Sequence, residues 1–324
     1  MTPGRLVAIV GVAAALVLIA VLVAGSASSG DSAPGATVAR AQLPAVGVED
    51  QQSELGPLPE PADASRIDLT KPPRLAGFRL NAPSAGLAFD FADGSVLWRR
   101  NATRRRPIAS LTKMMTGLLA AERLAPEDRV GITRAADRVG GSRMGGLRPG
   151  RSVRSEVLLQ ALMISSSNDA AVALAVGAAG SEHAWVRFMN RRAKLLGLRC
   201  TKYVDPHGLN PGDRSCPADL AVLAMRAMAE PRIARLARKR YARVWPGTGK
   251  KLTLRATNHL LRDRYPGAIG LKTGFTNAAG HCLVAVIERG SRRIGIVLLG
   301  DEDPWASARR ITRAAVRAGV FPRG

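Results

Sequence analysis

The chain reads as an α/β protein of the α+β kind: an antiparallel sheet flanked by helices, plus an all-helical lobe inserted between the first strands and the last ones. Three observations predict this. Short alternating or apolar runs bounded by turn residues occur at 84–100 and again at 268–299. The region between them is dominated by stretches with helical spacing. A further helical stretch follows the last strands, and strands, helical insertion, strands and helix together describe a sheet with helices on it and a lobe beside it.

The elements follow in order. Residues 84–91 read as a strand, Asp93-Gly94 as a tight hairpin turn and 95–100 as the return strand. Leu111, Met114, Met115, Leu118 and Leu119 give residues 110–124 one apolar helical face. Residues 155–164 form the next helix and end at a serine run. Residues 169–176 form another, with Gly177 and Gly180 expected to close it. Residues 181–196 are amphipathic, with Gly197 just past the end. The helix at 215–229 takes Ser215 as cap and has Pro217 in its first turn. Strands are expected at 268–275, 281–288 and 293–299, the last two joined at Gly290-Ser291. Asp303 caps a final helix with Pro304 at its first position and Gly319 after its end.

Before the domain, residues 6–25 form an uncharged apolar run behind Arg5. Twenty residues at helical rise span about 30 Å, the thickness of a bilayer's hydrocarbon. Two readings stand: a signal peptide cut near Gly25-Ser26-Ala27, or an uncleaved anchor, which the length of the run favours. In both, the rest of the chain is exported. Residues 26–65 are rich in Ala, Pro, Gly, Ser and acids and read as a disordered tether. The expected organisation is therefore anchor or signal at 1–25, linker at 26–65 and catalytic domain at 66–324.

Of 48 basic and 25 acidic residues, the first 65 positions hold 2 and 6, which leaves the remainder at net +27. Such a field favours anionic partners, for which wall polymers and anionic lipid are the candidates. No nucleic-acid fold motif is present and aromatics are only 4% of the chain, so no nucleic-acid partner is expected. No Cys/His cluster has metal-ligand spacing, and His183, His207, His259 and His281 are scattered. Cys200 and Cys216 bracket a loop-like stretch where an exported protein is able to hold a disulfide, a pairing the sequence leaves open. Cys282 lies in an apolar strand pattern and reads as a buried free thiol.

Three short motifs carry the chemistry. In Ser110-Leu111-Thr112-Lys113, hydroxyl and amine three residues apart share one helix face. A serine is a weak nucleophile until a base takes its proton. A lysine serves as that base only if burial or a like charge lowers its pKa, and Lys272 is a candidate for the like charge. Ser166-Ser167-Asn168 places a relay serine and an amide between two helices. Lys272-Thr273-Gly274 puts an ammonium and a hydroxyl on a strand edge, where they suit a substrate carboxylate, and Gly274 lets the substrate backbone come close. Each motif alone is weak; the order S-x-x-K, S-x-N, K-T-G is the set of β-lactamases and penicillin-binding proteins.

With these residues the chain resembles the serine-type D-alanyl-D-alanine carboxypeptidases, low-molecular-mass penicillin-binding proteins with a β-lactamase/transpeptidase-like fold. The likeness extends to Gly141-Ser142-Arg143-Met144, Leu147-Arg148-Pro149-Gly150, Asn168-Asp169-Ala170-Ala171, Asp205-Pro206-His207-Gly208-Leu209 and residues 270–280. It implies that Ser110 attacks the carbonyl between the terminal D-alanines of a peptidoglycan stem peptide, with Lys113 as base. It implies an oxyanion hole from the N–H groups of Ser110 and Phe275, and a proton passed by Ser166. Asn168 would orient Lys113 and the substrate, and Lys272 and Thr273 would hold the terminal carboxylate. β-Lactams would be covalent inhibitors, and no metal or organic cofactor is implied. Of the competing readings, a class A β-lactamase needs a deacylating glutamate after the second motif, and residues 183–229 contain none. A catalytically idle wall-sensing module is disfavoured by the complete set of reactive residues.

Overall fold

A computed structural model of the chain describes residues 67–247 and 249–323. The expected anchor or signal and the linker lie outside the described residues. Among the described residues no helix is long and apolar enough to cross a membrane.

In chain order the elements are β1 (Ala85–Asp90), β2 (Val96–Arg100), β3 (Arg106–Pro107), a 3-10 turn (Ala109–Thr112) and α1 (Lys113–Arg123). The lobe follows: β4 (Arg129–Gly131), α2 (Arg134–Arg138), β5 (Ser152–Arg154), α3 (Ser155–Ile164), α4 (Asn168–Ala179), α5 (Glu182–Leu195), β6 (Arg214–Ser215), α6 (Pro217–Ala229), α7 (Pro231–Ala237), β7 (Tyr241–Val244), β8 (Leu252–Arg255) and α8 (His259–Arg262). The chain closes with β9 (Ala268–Thr276), β10 (Gly280–Arg289), β11 (Arg292–Asp301) and α9 (Pro304–Arg317).

The main sheet has the order β2-β1-β11-β10-β9, with every neighbouring pair antiparallel. Its first two strands and last three are separated by the whole lobe in sequence, so β1 must find β11 across that insertion. Period two explains how one strand serves two cores. In β10, Leu283, Ala285 and Ile287 join a core with Ile311 and Ala315 of α9, while Val284 and Val286 face the core built with α1 and α6. Each fully buried Leu, Ile or Val contributes about 1.5–3 kcal/mol over exposure, so both faces of the sheet are strongly held. Among the described residues, the members of both cores run from Ile67 to Phe321.

Helix ends show where local signals decide. Asp303 caps α9 by accepting from Trp305 and Ala306 N–H groups, and Ser181 caps α5 by accepting from Ala184 N–H. Gly180 ends α4 with φ +73°. Three expectations change. The helix expected at 110 opens with the 3-10 turn. Ser215 does not cap α6: it lies in β6, its hydroxyl 2.8 Å from that of Thr201, and Cys216 precedes the helix. Gly177 lies inside α4, because a Cβ there would stand 2.6 Å from Cγ1 of Val130 on β4. The glycine is there to let helix and strand approach. The disulfide between Cys200 and Cys216 is formed. Cys282 is a free buried thiol whose pKa burial pushes up to about 11.

Gly177→Ala separates the two readings of that glycine. As a helix stop it would be improved by alanine, which gains about 1 kcal/mol of helix propensity. The structure predicts the opposite, a loss of about 1–3 kcal/mol from overpacking against Val130, measured by denaturant unfolding.

Candidate active site

The site lies where the helical lobe meets β9, the free edge of the sheet. Ser110 stands in the 3-10 turn and Lys113 opens α1, so the two side chains share one side of the junction. Lys113 Nζ is 2.9 Å from Ser110 Oγ and donates to the His207 carbonyl at 2.6 Å. Lys113 is fully buried. Burial is the main force on it and lowers its pKa to about 7, while Asp205, Asp213 and Asp169 hold it from falling further. Near neutrality a large share of Lys113 is therefore an uncharged amine within reach of the serine proton.

Lys272 reaches in from β9. It is buried, and Nζ donates to Ser166 Oγ at 2.7 Å and to its neighbour's carbonyl, Thr273 O, at 3.0 Å. Burial first, and the charge of Lys113 second, hold Lys272 well below the usual lysine range. Burial is thus the first force on both lysines, and the like charge between them acts in the direction expected, against holding both as ammonium at once. Thr273 Oγ1 is 2.6 Å from Thr257 Oγ1 and remains half-open to solvent with Ser110. Phe275 is exposed at the rim, with its ring 4.5 Å from that of His281.

Ser166 adopts φ +60°, unusual for a residue with a Cβ. That turn sends its hydroxyl to Lys272. Asn168 begins α4, and its side chain makes no hydrogen bond to Lys113. Its Nδ2 donates to the Gly140 carbonyl at 2.7 Å, and its backbone N–H donates to the Ser142 carbonyl at 2.7 Å. Oδ1 of Asn168 is buried with no partner. A buried acceptor left unpaired costs about 1–3 kcal/mol, and a substrate N–H would satisfy it. Asp169 beside it accepts from the Met144 and Gly145 N–H groups, so α4 grips the 140–145 loop by two side chains.

The 205–213 loop supports the nucleophile from below. Asp205 accepts from the N–H groups of His207, Gly208 and Asn210. Asp213 accepts from Val204 N–H at 2.7 Å, and its own carbonyl accepts from Ile108 N–H at 3.1 Å. Burial, then the charge of Asp205, raises the Asp213 carboxyl to about 8. Pro206 O accepts from Thr116 Oγ1 at 2.7 Å. From the other side, a Cβ on Gly274 would lie 3.0 Å from Ser110 N. Gly274 was expected to let a substrate backbone come close; the close approach in the structure is to the nucleophile turn itself.

Ser110, Lys113, Ser166 and Lys272 are thus brought into two hydrogen-bonded pairs, and Thr273, Gly274 and Phe275 line the strand beside them. Asn168 joins through the 140–145 loop. Asp213 and the His207 carbonyl were not singled out from sequence. A carbonyl carries no sequence signal, and an aspartate in a Gly/Asn/Pro-rich loop reads as a turn residue. Among the described residues, the group with metal-like proximity, Cys200, Cys216 and Asp219, has its two sulfurs joined in the disulfide.

An antiparallel sheet with a helical lobe, and a serine paired with a buried lysine at their junction, define the class of serine enzymes that use a lysine partner. Comparison with known proteins specifies the family. The sequence profile of the peptidase S11 family, D-alanyl-D-alanine carboxypeptidase, matches residues 72–303. D-alanyl-D-alanine carboxypeptidase DacF of Bacillus subtilis is 34% identical over 226 residues, 68% of this chain and 58% of DacF. The D-alanyl-D-alanine endopeptidase of Pseudomonas aeruginosa is 33% identical over 270 residues, 77% of this chain and 83% of that protein. The crystal structure of a D-alanyl-D-alanine carboxypeptidase from Mycobacterium tuberculosis superposes with a TM-score of 0.70 at 30% identity, covering 75% of this chain and 95% of that one. The chain belongs to the peptidase S11 family of D-alanyl-D-alanine carboxypeptidases.

Gly208 tests the seating of the nucleophile. It has φ +88°, and a Cβ there would lie 1.9 Å from the Ala109 carbonyl oxygen. Gly208→Ala should cost about 1–3 kcal/mol or more in unfolding free energy. It should also displace the 109–110 turn, which a crystal structure of the variant would reveal as a longer Ser110–Lys113 separation.

Proposed function

We propose that this protein is a serine D-alanyl-D-alanine carboxypeptidase that trims peptidoglycan stem peptides. The observation that carries the reading is a fully buried Lys113 with a pKa near 7, 2.9 Å from Ser110 Oγ.

Ser110 Oγ attacks the carbonyl carbon of the penultimate D-alanine while its proton passes to Lys113 Nζ. The oxyanion is held by the N–H groups of Ser110 and Phe275. The C–N bond breaks, and the leaving D-alanine nitrogen takes a proton from the Ser166 hydroxyl, which regains it from the Lys113 ammonium by way of Lys272, so that Lys113 is neutral again. A water then attacks the ester carbonyl while Lys113 takes its proton; the Ser110 oxygen leaves, receives that proton from Lys113, and the shortened peptide is released. Asn168 Oδ1 accepts a substrate N–H, and Lys272 with Thr273 receives the terminal carboxylate. The strained amide of a β-lactam would follow the first steps and stall as an ester on Ser110. The endopeptidase relative, matched over most of its length, supports a second reading: cleavage of the D-alanyl bond in cross-linked peptides. The charge of the domain and the apolar run at 6–25 support an exported protein held at the outer face of the cell membrane, near anionic wall material.

The domain from residue 66 onward should release D-alanine from a peptide ending in D-Ala-D-Ala, and labelled penicillin should add its mass to the peptide holding Ser110. Ser110→Ala should abolish both; Lys113→Ala should slow acylation by roughly 10²–10⁴-fold. The base is competent when Lys113 is neutral, above its depressed pKa, so kcat/KM should fall as pH drops through about 7. Fast penicillin turnover without D-alanine release would overturn the reading in favour of a β-lactamase. Release of monomers from a cross-linked peptide dimer, with no D-alanine, would favour the endopeptidase.

A further inference from the structure

Helix α9 has one face too many. Ala308, Ile311 and Ala315 are buried against the sheet. On the outer side, Arg310, Arg313 and Arg317 recur at helical spacing, all exposed, and α9 contains no acidic residue after the cap Asp303. Like charges three and four apart on a helix repel by about 0.2–0.5 kcal/mol per pair. Among the described residues, none of these three guanidinium groups forms an ion pair. Asp263, just past α8, pairs with Arg309 of α9 at 2.7 Å.

Facing this stripe is the segment that leads into the domain. It is held along the outer edge of β2 by Arg74 N–H to the Val96 carbonyl at 2.9 Å and Leu75 N–H to the Leu97 carbonyl at 2.8 Å. Arg99 donates to the Leu69 carbonyl further up the same segment. Between segment and helix lies a cleft of about 740 Å³, walled by Arg74, Arg310, Arg313 and Arg317 and floored by Leu75, Phe78 and Ala314. Asp93 acts electrostatically on Arg74, and Asp68 pairs with Lys71; neither lines the cleft.

Four cations over an apolar floor match a phosphate diester with an apolar skirt. A dissolved polyanion would use the arginines and leave the floor wet. The position also fits a surface. The cleft lies at the β2 edge, and β9 with Lys272 lies at the other, four strand spacings or about 19 Å away. Residue 66 lies eight positions before Arg74, and the apolar run at 6–25 ends 49 positions before it. We propose that this arginine cleft binds the phosphate headgroups of an anionic membrane, and so holds the domain with α9 toward the lipid and the catalytic edge away from it.

The test uses the domain from residue 66 onward, whose described residues form both cores, and reads vesicle binding, so it is independent of the peptidase reading. The domain should sediment with phosphatidylcholine vesicles that contain phosphatidylglycerol, and not with phosphatidylcholine alone, in a salt-sensitive way. The triple variant Arg310→Gln/Arg313→Gln/Arg317→Gln should bind at least about tenfold more weakly, since each arginine near an anionic surface contributes several-fold. Removing the exposed Arg138, Arg151 and Arg191 in the same way lowers net charge equally and should change binding far less. Equal losses in the two variants would show attraction by overall charge and overturn the site. Binding to soluble poly(glycerol phosphate) but not to vesicles, lost in the α9 variant, would assign the cleft to a dissolved polymer and overturn the membrane.

Discussion

An amine is a useful base at neutral pH only when water has been taken away from its ammonium form. Lys113 meets that condition by complete burial where α1, the 205–213 loop and β9 converge. Most of the local architecture serves to keep it there without letting nearby carboxylates restore its charge. Asp169 and Asp205 each spend their oxygens on backbone N–H groups of the loops they hold. Asp213 is pushed up to about 8 by burial and by Asp205, so near pH 7 it carries less charge than an ordinary carboxylate, and with Asp205 and Asp169 it only limits how far Lys113 falls. Were Asp213 ionised, its charge would draw Lys113 back toward the protonated form. The loop's carboxyl pair and the lysine therefore act as one electrostatic unit.

The same convergence imposes steric terms. The 108–110 turn is wedged between two backbones, the 205–213 loop below and β9 beside it. At both contacts the approaching residue is glycine: Gly208 against Ala109 and Gly274 against Ser110. Ala109 itself takes φ +47°, a conformation that costs of order 1 kcal/mol or more and persists because its neighbours leave no alternative. Ser166, also in the left-handed region, is the second such point, held where its hydroxyl meets Lys272. Strain and desolvation are concentrated at the two pairs that carry the chemistry, and the two large cores on either face of the sheet stabilise the rest.

Much of this was legible in the sequence. Strand alternation and turn residues placed β1, β2 and β9–β11 within a residue or two, and Asp303-Pro304 marked the start of α9 because a cap is a local signal. The reactive residues were legible for a different reason: Ser110 and Lys113 are neighbours by helical spacing, and the other two motifs match a known set. What was not legible depends on contacts distant in sequence. Gly177 resembled a helix stop and is instead a clearance for Val130, some 47 positions earlier. Asn168 was expected to orient Lys113 and the substrate; its Nδ2 donates to the Gly140 carbonyl, a partner 28 positions earlier that no local pattern indicates. The short β7–β8 hairpin and α7 fall below the length at which periodicity separates a strand or helix from a loop. The sequence left burial and a like charge both open as the cause of a depressed lysine pKa; burial comes first, and no spacing rule reports which side chain is buried.

The central claim is that Lys113 loses its proton near neutrality in the free enzyme. The direct measurement is a nuclear magnetic resonance titration of the lysine Cε and Hε signals in the domain from residue 66 onward, with Lys113 assigned by its absence in Lys113→Arg. The account predicts a transition near pH 7 for Lys113, well below the ordinary value of a free lysine side chain, about 10.4. A Lys113 signal that moves only near that ordinary value would show an ammonium at neutral pH, and would contradict the account.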